Sequence, residues 1–225
     1  MNEPKVFGYG EDSLTLQALQ VKGKRGELSK KLNTWLGLKG SEMIALQKDL
    51  CLIFYRPSFG RGKNIGEPDF IIFAKSRNRQ TGYWIIGEAK WDRSGEVRGN
   101  EVSLRAEQGI VRVNWFNELF RFWATNKSYS DSELRSLAKI QSKGDTRLLQ
   151  TVKGLFSKAD SFFNAKHSIF FKSVLLVFTH KERRKTGGHL RFKTAEPSEM
   201  GLIEMNYTED AVFIPLEYTR QKSRK

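Results

Sequence analysis

The chain has 225 residues, with 39 Lys and Arg against 25 Asp and Glu and a formal net charge of +14. That length holds one sizeable core and argues against a string of independent domains, while 39% hydrophobic and 12% aromatic residues exclude a wholly disordered basic tail. The positive excess favours a polyanionic partner such as DNA or RNA over an acidic protein or a small neutral metabolite.

In chain order, the first predicted element is a short helix over 11–19, entered from Gly8 and Gly10, with apolar Leu14, Ala18 and Val21 on one side and an end near Gly23 and Gly26. Lys22, Lys24, Arg25, Lys30 and Lys31 then surround a second short helical segment that stops at Gly37 or Gly40. The run 49–55, DLCLIFY, is rich in strand formers and closes at Pro57, Gly60 and Gly62. Cys51 is the only cysteine, so no internal disulfide forms. Its apolar neighbours make it a buried reduced thiol, and a cytoplasmic or nucleoid-associated location is expected. No apolar run approaches the ~20 residues that cross a bilayer, and the N-terminus does not read as a secretory leader.

A second strand is predicted over 69–73, DFIIF, after Gly66-Glu67-Pro68, and a third over 83–91, YWIIGEAKW, after a polar turn. Loops of this kind give an antiparallel meander whose central members are buried on both faces. From 101 to 123 the apolar spacing becomes helical, with Gly109 marking a bend. Residues 126–148 are polar and irregular with one short helix, 149–163 are helical, and 172–178, KSVLLVF, is a fourth strand. The segment 179–193 reads as a basic hairpin or loop around Gly187-Gly188, and 211–216 as a last strand, placed at an edge because Pro215 has no backbone donor.

Chemistry concentrates in the third strand. Alternation puts Glu88 and Lys90 on one face and Ala89 on the other. Antiparallel pairing of 69–73 with 83–91 then brings Asp69, at the start of one strand, beside Glu88 and Lys90, at the end of the other. Adjacent carboxylates repel unless a cation joins them, and hard oxygen ligands favour Mg²⁺, with Mn²⁺ as a substitute. The Ala89 carbonyl adds a further oxygen. In such a site Lys90 orients the attacking water or stabilises developing charge rather than acting as a base, since a neighbouring metal and phosphate oppose loss of its proton. The plainer readings stay open: Asp69 as a turn cap, Glu88 and Lys90 as a surface pair, Glu11 as an acid placed by the helix dipole.

Pro68-Asp69 followed 18 residues later by Glu88-Ala89-Lys90, in the order helix, three strands, long helix, strand, resembles the PD-(D/E)xK nuclease superfamily. The resemblance implies an α/β, restriction-endonuclease-like fold: a mixed central sheet flanked by helices, here with an inserted helical region and a basic C-terminal hairpin or loop. It implies one nuclease-like domain over 1–225 with a core of about 9–178; the stretch 125–170 departs from the minimal core and reads as an insertion, and 179–225 as a basic C-terminal segment. It further implies metal binding by Asp69 and Glu88, Lys90 as the third signature residue, and an acidic side chain from the first helix, for which Glu11 is the better match and Asp12 the weaker one.

Duplex DNA is the expected partner. Lys22, Lys24 and Arg25 on one side and Lys181, Arg183, Arg184, Lys185, Arg191 and Lys193 on the other are candidates to neutralise phosphates. Arg105, Gln108 and Arg112, on or near the long helix, are candidates to reach the scissile phosphate, with an exposed helix face as the alternative. His167, His180 and His189 lack zinc-like spacing, and there is no phosphate-cradling glycine loop, so neither zinc nor a nucleotide cofactor is expected. The leading expectation is a Mg²⁺-dependent endodeoxyribonuclease of type II restriction character acting as a homodimer. The alternatives are a repair or Holliday-junction endonuclease and a catalytically silent DNA-binding or assembly protein, with an RNA-processing protein a weaker third.

Overall fold

The computed structural model describes residues 6–59, 67–104, 107–126, 128–138, 146–164, 168–182, 189–193, 200–208 and 213–216. Its elements run β1 (Val6–Tyr9), α1 (Gly10–Gln20), α2 (Lys22–Leu36), β2 (Cys51–Tyr55), β3 (Phe70–Lys75), β4 (Gly82–Trp91), β5 (Val97–Arg98) and β6 (Glu101–Val102). They continue with α3 (Arg112–Thr125), α4 (Asp131–Leu137), α5 (Thr146–Phe163), β7 (Ile169–His180), β8 (Arg191–Phe192), β9 (Met200–Tyr207) and β10 (Phe213–Leu216).

The central sheet has five strands in the order β2-β3-β4-β7-β9. β2, β3 and β4 form the expected antiparallel meander, with Tyr55 opposite Phe70 and Phe70 opposite Gly87. β7 then joins β4 in parallel, pairing Gly82 with Ile169, and β9 joins β7 in parallel. A parallel partner cannot be reached through a hairpin, and the chain between β4 and β7 supplies the crossover as the helical cluster α3, α4 and α5. The result is an α/β fold with a mixed central sheet flanked by helices and an inserted helical cluster, a general architecture consistent with RNase-H-like and PD-(D/E)xK-like proteins.

Strand alternation sorts the core into two layers. Tyr83, Ile85 and Ala89 of β4 face α1 and α2, where Leu14, Ala18, Leu19, Leu28 and Leu32 are buried. Trp84 and Ile86 face the opposite way, onto Phe116, Leu119 and Trp123 of α3 and Val152, Phe156 and Phe163 of α5. Rings dominate this second layer: Trp84 lies 4.7 Å from Phe73 and 5.5 Å from Trp123, centroid to centroid. The aromatic content is therefore largely core, as its periodicity implies. On the far part of the sheet Leu175 and Val177 of β7 are covered by Val97 and Val102, from the small sheet β5-β6-β8.

Several elements differ from their sequence expectation. α2 runs straight through Gly23 and Gly26. Both positions open onto empty space, and burial of Leu28 and Leu32 outweighs the low helix propensity of two glycines. It ends where expected, on a left-handed Gly37 with φ 69°, while the Leu38 N–H caps the Asn33 carbonyl at 2.9 Å. The helix expected over 101–123 begins only at Arg112. Residues 97–102 are drawn into β5 and β6 because Val97 and Val102 are buried against β7, and a five-residue π-type turn, Glu107–Val111, with a non-helical Gly109, leads into α3. β9 was not anticipated at all. Of the basic segment, 183–188 lies outside the described residues, and its far flank forms β8, parallel to β6. β10 pairs antiparallel with β1, placing Pro215 opposite Phe7 in a separate two-stranded sheet. No described helix is long and apolar enough to cross a membrane.

Candidate active site

β3 begins one residue after Asp69, and the ladder carries on to meet it: the Asp69 N–H donates to the Gly87 carbonyl at 3.0 Å. Two residues along β4, the Ala89 N–H donates to Asp69 Oδ2 at 2.7 Å. This interlock fixes the Asp69 carboxylate against the end of β4, and the Ala89 carbonyl shares that side of the strand. Glu88 and Lys90, two apart on β4, project together, with Lys90 Nζ donating to Glu88 Oε1 at 3.2 Å. Both are buried, at 5% and 6% exposure. The sequence juxtaposition of Asp69, Glu88 and Lys90 is therefore present in three dimensions.

The first turn of α1 completes the group. Glu11 Oε2 accepts from the Trp91 N–H at 3.2 Å, and Glu11 Oε1 lies 3.8 Å from Lys90 Nζ. Its neighbour Asp12 turns outward, where it pairs with Arg56 at 2.6 Å. Of the two acids on the first helix, Glu11 is the one beside Lys90. Arg56, whose N–H donates to the Asp69 carbonyl at 2.8 Å, stands next to this group on the loop after β2. Its identity as a neighbour of Asp69 was not legible before the register of β2 on β3 was known.

Arg112 departs most from expectation. It opens α3 yet is buried, at 5% exposure, and its Nη1 donates to Glu88 Oε2. Each Glu88 oxygen thus has a cation: Lys90 on one side, Arg112 on the other. Gln108 falls in the π-type turn, and Arg105 lies outside the described residues. Among the other basic candidates, Lys24 donates to the Asn206 carbonyl at 3.0 Å and to Glu27 at 3.3 Å, and Arg191 pairs with Glu101 at 2.9 Å. Lys22, Lys181 and Lys193 are exposed, Arg25 is half-buried, and Arg183, Arg184 and Lys185 lie outside the described residues.

The electrostatics follow from packing three acids into a partly buried corner. Burial, together with the Asp69 and Glu88 charges, pushes Glu11 up to about 7 against the pull of Lys90. Burial and the nearby Asp69 charge likewise raise Glu88 to about 7, against Arg112 and Lys90. Burial raises Asp69 too, opposed by the Ala89 N–H and by Lys90. Desolvation alone would lower Lys90, but the carboxylates of Glu88, Glu11 and Asp69 more than offset it and hold the ammonium above its usual range.

In kind, these donors fit a hard divalent cation: carboxylate oxygens and a backbone carbonyl, gathered where charge repulsion among acids calls for one. In position they are not yet a ligand set, since among the described residues no three His, Cys, Asp or Glu side chains stand ready to hold an ion. Glu88 faces its two cations instead, and one Asp69 oxygen faces the Ala89 N–H.

A second polar cluster, which sequence spacing did not flag, closes the same end of the sheet. Asp92, just past β4, accepts from the His180 N–H at 2.8 Å and from the Tyr207 hydroxyl at 2.6 Å, tying together the ends of β4, β7 and β9. His180 joins this latch through its backbone N–H. No family model, curated protein or solved structure is significantly similar to the chain.

Proposed function

We propose that the chain is a divalent-cation-dependent endodeoxyribonuclease of the PD-(D/E)xK superfamily, hydrolysing the DNA phosphodiester backbone in a type II restriction setting. The observation that carries this reading is the convergence of Pro68-Asp69 and Glu88-Ala89-Lys90 through antiparallel β3 and β4, with Glu11 brought alongside by α1. Duplex DNA, Mg²⁺ or Mn²⁺, a homodimer and a single nuclease-like domain over the whole chain belong to the same proposal. The charge of +14 supports it.

The roles follow from the site. Asp69, Glu88 and Glu11, with the Ala89 carbonyl, would hold the cation, which supplies charge neutralisation at the scissile phosphate and lowers the pKa of an attacking water. Asp69 is pre-aimed by the Ala89 N–H. Lys90, an ammonium held charged by its neighbours, orients the water and stabilises negative charge building on the phosphorus oxygens. Burial of Glu88 and Lys90, at 5% and 6% exposure, keeps the local dielectric low, which strengthens each of these interactions.

The test is incubation of the purified chain with supercoiled plasmid, a pooled linear duplex library and a four-way junction, with Mg²⁺ or Mn²⁺ and with EDTA. Cleavage that needs metal and recurs at one sequence supports the restriction setting. Ends that follow junction structure replace it with a repair role.

A second reading has one observation in its favour: both Glu88 oxygens are taken up by Lys90 and Arg112. A DNA-binding or assembly protein on a silent nuclease-like core accounts for that ion cluster as a structural feature. Duplex binding with no cut in either metal would establish it.

A further inference from the structure

Resting on the nuclease reading, the cluster around Glu88 poses a further question. Three carboxylates, half-buried Glu11 and Asp69 and buried Glu88, meet two buried cations, Lys90 and Arg112, in one corner. Lys90 is on the same strand as Glu88 and cannot move far from it. Arg112 comes from another element, and that element has an irregular start: the π-type turn Glu107–Val111 with Gly109 at φ −92°, ψ −106° directly precedes it. The same turn leaves Ile110 at 48% and Val111 at 42% exposure, two of the few large apolar residues so exposed among the described residues. A helix start that is non-ideal, apolar on its outside and anchored inward by an arginine has two sets of interactions to choose between.

We propose that Arg112 is a substrate-operated plug: it occupies Glu88 until a DNA phosphate draws the guanidinium away, and only then does Glu88 turn to a divalent cation. A guanidinium forks onto phosphate as readily as onto carboxylate, so a duplex arriving at the site offers Arg112 an equivalent partner. Its departure leaves Glu88 with Lys90 alone, and the four residues that remain carry a formal charge of −2, against −1 for the five together, the complement of a divalent ion. Docking of DNA over Ile110 and Val111 covers apolar surface at the same step. Cation and duplex then bind cooperatively, each raising the other's affinity by the same factor. The device prevents a metal-loaded site from forming in the absence of substrate.

The experiment is a Mn²⁺ titration, followed by the loss of free-ion paramagnetic resonance signal, on the full chain as wild type, R112Q and R112K. Each is measured alone and with a phosphorothioate-substituted duplex, with circular dichroism confirming the fold. Removing one charge-assisted contact from Glu88 is expected to tighten Mn²⁺ binding about tenfold in R112Q without DNA. The duplex should tighten wild type by a similar factor, R112Q far less, and R112K nearly as much as wild type. Mn²⁺ binding to wild type that is equal with and without duplex overturns the plug and leaves the nuclease reading standing; this arm needs no variant to fold. Equal Mn²⁺ affinity of folded R112Q and wild type without DNA also overturns it. Mn²⁺ binding in no variant, even with duplex, overturns both.

Discussion

Phe70 and Gly87 sit opposite each other across the β3 and β4 ladder, and the Phe70 ring fills the space where a side chain at 87 would stand. The glycine is therefore a condition of close strand approach one residue away from both Asp69 and Glu88. A Gly87→Ala change forces the ring out of its place, and overpacking of this kind costs about 1–3 kcal/mol. Urea unfolding should show that loss, and Phe70→Leu in the same chain should recover part of it, because the two positions compete for one volume.

Lys90→Ala should abolish most cleavage while sparing duplex affinity. Removal of one preorganised charge donor costs about 10²–10³-fold in rate, whereas one cation among many changes equilibrium binding little. Single-turnover cleavage beside a gel-shift titration at fixed salt separates the two effects. Equal loss in both would mean that Lys90 binds DNA and does not serve the chemical step.

Without metal, Glu88 should make the fold less stable as pH rises. Its folded pKa of about 7 lies above the model-peptide range, so between about pH 4.5 and pH 7 the folded state holds a proton that the unfolded chain has released. The stability it contributes is whole below pH 4.5 and is lost through pH 7, a matter of roughly 3 kcal/mol at ~1.4 kcal/mol per unit. Glu88→Gln carries no such proton. In EDTA, the difference in unfolding free energy between Glu88→Gln and wild type should grow from pH 4.5 to 7 and then level off; a flat difference refutes the assignment.

Much of this corner was legible in the sequence because alternation is rigid. Once 69–73 and 83–91 read as strands joined by a short turn, the register followed, and with it the meeting of Asp69, Glu88 and Lys90. Glu11 needed only the helix after Gly10. Arg112 was named as a candidate to reach phosphate, but its burial against Glu88 was not legible, since helical periodicity tells which face a residue is on and not whether a carboxylate waits beneath it. β9 left a signal that went unused: Ile203, Met205 and Tyr207 alternate with Glu204 and Asn206, the former buried and the latter not. The short strands β5 and β6 left almost none. Their pairing is decided by burial of Val97 and Val102 on a strand more than seventy residues away, and no local window contains that information.

Tyr207→Phe tests the latch at the sheet's end. Loss of the hydroxyl removes a 2.6 Å hydrogen bond to the half-buried Asp92, at a net cost of about 0.5–1.5 kcal/mol. The urea midpoint should fall, while cleavage measured well below that midpoint should be unchanged. A rate loss at full folding would bring Asp92 and Tyr207 into the chemistry.

The parallel partner of β4 lies far down the chain, and this has a bearing on synthesis. The β2, β3 and β4 meander is complete once Trp91 has been added, but β7 begins only at Ile169. At ~5–20 residues per second the ~80 intervening residues take roughly 4–16 s to emerge from the ribosome. Throughout that interval an apolar strand bearing Trp84, Ile85 and Ile86 offers an unpaired rim to any other nascent chain. Newly made protein of this kind will depend on chaperone cover or low expression temperature for its yield, irrespective of how stable the finished molecule is.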